Sequence, residues 1–171
     1  MTVPVLQTGR LLLREPVLAD FPAQAAMWLD PRMGDLQTEE ESWLSFQFHI
    51  GNWRLLGWGY WVLIDKETGR YAGTVGFQHG RRAIDYAGRD APEMGWAVAP
   101  SFQKRGLARE AVAAALNWAD GQALGDETWC FMRQDNAPSR ALAEGAGFRE
   151  TRRADYKKNP VVIFSRRRGG A

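Results

Sequence analysis

The sequence holds a single cysteine, Cys130. No disulfide can form within the chain, so its stability must come from packing, as fits a reducing compartment. Histidine is nearly as scarce, with His49 and His79 alone. None of these three residues stands at a metal-ligand spacing, and no metal is expected. No apolar run approaches the roughly 18 residues of a membrane span. The first residues lack the basic-then-apolar order of a signal peptide, because Arg10 and Arg14 bracket a short apolar patch. Neither sign of charge dominates: 22 Lys and Arg face 20 Asp and Glu. Bulk electrostatics therefore calls for neither nucleic acid nor a membrane surface. Three common chemistries are missing as motifs. There is no G-x-x-x-x-G-K-[ST] loop, no G-x-G-x-x-G between strand and helix, and no G-x-S-x-G elbow. These absences leave a cytoplasmic protein of 171 residues, a length that fits one domain.

What is present is a mixed pattern of elements. "RLLLRE" (Arg10–Glu15) reads as a strand ended by Pro16. Asp20 is placed to cap a first helix to about Asp30, and Glu39-Glu40-Glu41 opens a second to about Leu55. "GYWVLID" and "RYAGTVGF" form a hairpin across Asp65–Gly69. "EMGWAVAP" is a strand stopped by Pro100, followed by an Ala-rich helix to about Ala119. "ETWCFM", then "APSRALAEG" behind an Asn136 cap, then two strands with Asn159-Pro160 in their turn complete the chain. The order β-α-α-β-β-β-α-β-α-β-β predicts an α/β fold of the mixed, α+β kind. It implies a twisted, mostly antiparallel sheet of about seven strands with about four helices on its faces. The closing residues, Arg166 to Ala171, read as a frayed basic tail. Eight tryptophans are expected to fill core or pocket walls.

The informative stretch is "VAPSFQKRGLAREAVAAAL", Val98 to Leu116. A buried strand leads through a short basic loop into a helix. A helix starting near Arg105 leaves its first amides without intrahelical partners and adds about +0.5 charge there. Gly106 and Ala108 let a ligand approach that backbone closely, and Lys104 and Arg105 add mobile cations. The result is either an anion site suited to a diphosphate or a plain turn with solvated charges.

The segment Gln103-Lys104-Arg105-Gly106-Leu107-Ala108 resembles the Q/R-x-x-G-x-G/A acetyl-CoA motif of the GNAT N-acetyltransferase superfamily. "DNAPSRALAEGAGF" is similar to that superfamily's N-x-x-S…G-F segment. "WVLIDKETGRYAGTVGF" followed by "PEMGWAVAP" most resembles the branch of ribosomal-protein N-terminal acetyltransferases, the RimJ/RimL-like enzymes. The resemblance runs from Leu6 to Phe164. It implies a single domain over residues 1–171 that uses acetyl-CoA as co-substrate. It implies that the diphosphate rests on the amides of Gln103 to Ala108, with Lys104 or Arg105 nearby. It further implies that the pantetheine arm lies beside the strand ending at Val98, whose amide polarises the acetyl carbonyl. Asn136 would contact the pantetheine or thioester, or serve only as a helix cap.

Transfer to an amine also needs a proton for the departing thiolate. Many relatives place a Tyr seven residues after the Asn, and here that position is Ala143. Ser139, one turn after Asn136, is the substitute the resemblance suggests. Glu93, at the start of the central strand, is the candidate base acting through water. With no strong base evident, an α-amine of pKa about 8 is a slightly easier acceptor than a lysine of about 10.4. The acceptor is a protein N-terminus or a small-molecule amine, met by a monomer or a homodimer. The loops Asp30–Thr38 and Gly80–Ala91 are expected to touch it. Two other readings keep the fold: a different acyl-CoA as donor, or an acyl-CoA-binding module without turnover. An RNA-associated protein acting through its basic tail is a third.

Overall fold

The computed structural model of the chain describes residues 2–34 and 37–169. Asp35 and Leu36 of the expected acceptor loop, and Gly170 and Ala171 of the tail, lie outside the described residues. Eight strands and four helices follow one another: β1 (Leu6–Gln7), β2 (Leu11–Arg14), α1 (Phe21–Leu29), α2 (Glu39–Leu56), β3 (Tyr60–Asp65), β4 (Tyr71–Gln78), β5 (Glu93–Val98), α3 (Leu107–Gly121), β6 (Glu127–Arg133), α4 (Ala137–Gly145), β7 (Arg149–Tyr156) and β8 (Asn159–Arg167). The strand order is β1-β2-β3-β4-β5-β6-β8-β7. The pairs β1–β2, β2–β3, β3–β4, β6–β8 and β7–β8 are antiparallel, and β5–β6 is parallel. The sheet is thus mixed and mostly antiparallel, as the element order implied, with eight strands instead of about seven.

The chain divides into two compact units: Met1–Gln78 with Trp96–Ala115, and His79–Gly95 with Leu116–Ala171. β5 and α3 each contribute to both. In the first unit, α2 packs on β3, with the rings of Trp53 and Trp61 edge to face at 4.9 Å. Leu11, Leu13, Phe46, Trp53, Trp61, Leu63, Phe77 and Leu107 are almost wholly buried. The buried indoles keep their N–H groups satisfied, as burial requires: Trp53 donates to Tyr60 O at 2.8 Å and Trp61 to Pro4 O at 2.8 Å. Gly73 on β4 has φ 148°, and a Cβ there would lie 2.1 Å from Ala97 O. Only glycine allows the chain of β5 to come this close. In the second unit, Ile84, Trp129, Val161 and Ile163 form a buried cluster, and Trp129 donates its indole N–H to Ala91 O at 3.0 Å.

Local signals account for most boundaries, and four places differ from expectation. Asp20 does not cap α1. Its carboxylate accepts two bonds from Arg14, both 2.7 Å, and one from Val17 N at 2.8 Å. A charge-assisted bidentate pair outcompetes a neutral amide for those oxygens. Thr38, read as loop, caps α2: it accepts from Glu41 N at 3.2 Å, and Glu41 accepts from Thr38 N at 2.8 Å, a reciprocal capping box. The last hairpin turns at Lys157 and Lys158, with φ 48° and 65°, and Asn159 and Pro160 are already paired in β8. Two left-handed residues between paired strands are the twist-matched form of a two-residue turn.

The basic tail is the fourth correction. Arg166 and Arg167 are strand residues paired with Thr128 and Glu127. Arg166 also binds both oxygens of Asp120, at 3.0 and 2.6 Å, and Arg168 reaches Asp126 at 3.0 Å. Opposite charges and strand pairing order these arginines, and leave them poorly placed to serve as a free RNA-binding arm.

Candidate active site

The loop from β5 to α3 lies wholly in the first unit. Pro100 to Phe102 form one tight turn, and Lys104 and Gly106 both take left-handed backbone, φ 61° and 76°. Left-handed residues alternating with ordinary ones turn successive amides toward one side, which makes an anion-binding concavity. A Cβ on Gly106 would meet only Arg10 Nη2, at 3.5 Å, so the space over it is open. Glu110 N closes the first turn of α3 onto Gly106 O at 3.2 Å. Among the described residues, no group accepts from the amides of Leu107, Ala108 or Arg109. They are the orphan donors that every helix start carries.

Arg10, a residue the sequence reading did not place here, fixes the loop. Its Nη1 donates to Arg105 O at 2.7 Å. A trans peptide points its N–H opposite its carbonyl, so holding Arg105 O aims the Gly106 amide away from Arg10. Arg10 is itself anchored on Glu110, through its backbone N and Nε, both at 2.7 Å. Burial alone would raise the Glu110 carboxyl. Bonds from Thr8 and from the Arg10 amide and guanidinium outweigh it and hold the group below its ordinary range. Beside the loop, the guanidiniums of Arg70 and Arg105 lie 5.7 and 5.6 Å from the buried ring of Phe102. Arg105 is 3.9 Å from Glu67, and Lys104 is exposed. No short motif couples Arg10 to residues 95 positions away, so this brace left no local signal.

Gln103 and Val98 are brought together. Gln103 Nε2 donates to Val98 O at 3.0 Å, and the Gln103 amide reaches Pro100 O at 3.4 Å. Ala99 N donates to Ala72 O of the first unit at 2.9 Å. Strand alternation then turns the Val98 N–H to the opposite edge of β5.

Glu93, Asn136 and Ser139 lie in the second unit. Both oxygens of the buried Glu93 accept from Arg82, at 2.8 and 2.7 Å. Arg82 also donates to Tyr156 OH at 3.1 Å and packs 5.2 Å from the Phe131 ring centroid. Asn136 caps α4: its Oδ1 accepts from Ser139 N at 3.2 Å. Both residues are half-buried, and Ala143 on the same helix is fully buried. In the expected acceptor loop, Tyr86 donates to Glu127 and its ring lies 5.2 Å from Trp129. Burial, with Glu127 next, pushes the Tyr86 hydroxyl up to about 12.

His49 is buried and stacked on Tyr60 at 4.0 Å, and burial lowers its pKa to about 3. Cys130 is buried and its thiol is pushed up. Among the described residues, no three His, Cys, Asp or Glu side chains come together as a metal-binding group. No helix among them is long and apolar enough to cross a membrane.

Residues 10–149 match the family model of the acetyltransferase (GNAT) domain. The chain belongs to the GNAT acetyltransferase family. A GnaT-family acetyltransferase from Bordetella pertussis is 33% identical, with 96% of this chain and 99% of that one covered and a TM-score of 0.85. An acetyltransferase from Agrobacterium tumefaciens is 26% identical over 96% of this chain and 95% of that one, with a TM-score of 0.81. The ribosomal L7/L12 alpha-N-protein acetyltransferase RimL, solved in complex with coenzyme A, is 17% identical over 98% and 100% of the two chains, and at a TM-score of 0.76 it shares the fold. GNAT enzymes take acetyl-CoA, and a loop of open amides, a glycine and flanking cations fits the diphosphate of that co-substrate. The chain is therefore an N-acetyltransferase.

Proposed function

We propose that this enzyme uses acetyl-CoA and passes the acetyl group directly to a primary amine, on a protein N-terminus or a small molecule. The observation that carries this reading is the open start of α3. Left-handed Lys104 and Gly106, the unpartnered amides of Leu107 and Ala108, and Arg105 held by Arg10 offer donors and positive charge to a diphosphate. Val98 donates its outward amide to the acetyl carbonyl as that oxygen gains charge; one such donor is typically worth about 10²–10³ in rate. Asn136 uses its Oδ1 on the helix and offers Nδ2 to the pantetheine or thioester.

The Ser139 hydroxyl hydrogen-bonds the departing sulfur or relays a water, because Ala143 supplies no acid. Glu93 gives both oxygens to Arg82, so we assign it to holding the start of β5. The amine then arrives neutral, which favours α-amines and other amines of low pKa. The likeness in fold to RimL makes peptide N-termini the first acceptors to try.

The test is release of free CoA from acetyl-CoA across a panel of peptides and small amines, alongside thermal melts. Acetyl-CoA is expected to raise Tm, and at least one amine to liberate CoA. Unchanged melting at millimolar acetyl-CoA overturns the reading. Protection without CoA release from any amine favours a binding module, which the buried Ala143 in the acid position makes a specific alternative. If other acyl-CoA esters turn over faster, the donor assignment changes and the amine chemistry stands. Ser139→Ala is expected to lower turnover by roughly tenfold with acetyl-CoA affinity unchanged; equal turnover removes its role.

A further inference from the structure

α2 is buried along one face and carries apolar side chains on the opposite one. Ser42, Phe46, His49 and Trp53, spaced at i, i+4, i+7 and i+11, are buried. Leu44, Phe48, Gly51 and Leu55 repeat the same spacing on the outer face. There Leu44 is 58% exposed, Phe48 42% and Leu55 84%. A Cβ built on Gly51 meets nothing within 4 Å, so the stripe has a hole beside its largest knob. The spacing is that of a helix–helix seam.

The stripe is also self-complementary. Leu44 and Leu55 are equidistant from the midpoint between His49 and Ile50, and so are Phe48 and Gly51. Two copies packed antiparallel about that midpoint set Leu44 against Leu55 and Phe48 into the hole at Gly51, twice each, as an isologous interface requires. Charge selects the same direction. The first turn carries Glu39, Glu40 and Glu41, while Arg54 of the last turn is bonded to Glu15 at 3.1 Å. Antiparallel packing keeps the two acidic ends apart and opposes the helix dipoles. Parallel packing would place three glutamates beside three glutamates.

We propose that the outer face of α2 is a homodimer interface, formed by two antiparallel copies of this helix about a two-fold axis between His49 and Ile50. A helix of 18 residues is about 27 Å long. Paired alone it buries less than the roughly 800 Å² per partner of a standard interface, so the dimer is reversible, with a Kd in the micromolar range.

Sedimentation equilibrium of the whole chain between about 1 and 500 µM tests this, across the range expected for such a contact. A monomer–dimer equilibrium is expected, and Phe48→Glu and Leu55→Glu should each weaken it by at least about 30-fold, with circular dichroism unchanged. A protein monomeric throughout, or dimerisation indifferent to both substitutions, overturns the proposal. Crosslinking tests the geometry. Leu44→Cys and Leu55→Cys proteins, mixed and mildly oxidised, are expected to link to each other and not to themselves; buried Cys130 does not compete. Links within each single variant overturn the antiparallel register. The result is independent of acetyl transfer, since it is read without any substrate.

Discussion

Two helices in this enzyme follow a strand through a short loop, and they start differently. α3 follows β5 through a glycine cap, with its first amides unpartnered and an arginine brace behind the loop. α4 follows β6 through Asn136, whose side chain satisfies the Ser139 amide. The same strand-to-helix step therefore yields opposite surfaces. A side-chain cap closes a helix start, because the orphan donor it satisfies is no longer offered to a ligand. A glycine cap supplies the turn without an acceptor, so the donors stay open to an anion.

Changes at four positions would break or sharpen this contrast. The largest effect is expected from Gly106→Glu, which puts a strained, charged side chain into the open start. Isothermal titration should show acetyl-CoA affinity falling by about 100-fold or more, near 3 kcal/mol. Gly106→Ala is the control, since its Cβ meets only Arg10 Nη2 at 3.5 Å. It should cost about 1 kcal/mol of stability from its φ of 76° and leave most binding intact.

Next, Arg10→Met frees Arg105 O and lets the loop peptide rotate. Roughly tenfold weaker acetyl-CoA binding is expected, with turnover at saturation unchanged; equal affinity would mean that the brace does not aim the Gly106 amide.

At α4, Asn136→Ala should lower stability by about 1 kcal/mol in urea unfolding through loss of the cap. Asn136→Asp keeps an acceptor for Ser139 N and loses the Nδ2 donor. Native stability with reduced turnover would separate the two uses of this side chain; full turnover in the Asp variant would leave Asn136 a cap alone.

The smallest effect concerns pH. Glu110 lies in the first turn of α3, where α4 has no acid. Its pKa is lowered by folding, so its contribution is present above the unfolded value of about 4.3 and fades as pH falls through the folded one. Melts of Glu110→Gln should lie below native at pH 7 and converge with native as pH falls below the unfolded value; parallel curves would deny the linkage.

The contrast also shows what a sequence can disclose. The β5–α3 loop and the Asn136 cap were legible because each signal is contiguous: six residues for one, an Asn three positions before the amide it caps for the other. Arg10 was not, because its bond to Arg105 O exists only once β2 and α3 are packed. Asp20 misled for the same reason, since Arg14 outbids the local helix for its oxygens. Arg166 looked like tail until Asp120, 46 positions earlier, came within 2.6 Å. The bonds from Arg82 to both oxygens of Glu93, the candidate base, had no signal in the sequence either. Backbone signals thus survive in sequence, while charge partnerships drawn from distant segments do not.

The turn at Lys157 and Lys158 has a consequence for engineering. Two consecutive lysines hold left-handed backbone, a conformation that costs most residues with a Cβ about 1 kcal/mol or more. Asparagine and glycine adopt it readily. Replacing the pair with Asn-Gly would keep the hairpin and relieve that strain. It touches none of the residues assigned to chemistry or to the helix seam. The hairpin is therefore a reserve of stability with which variants weakened at the site can be rescued and assayed.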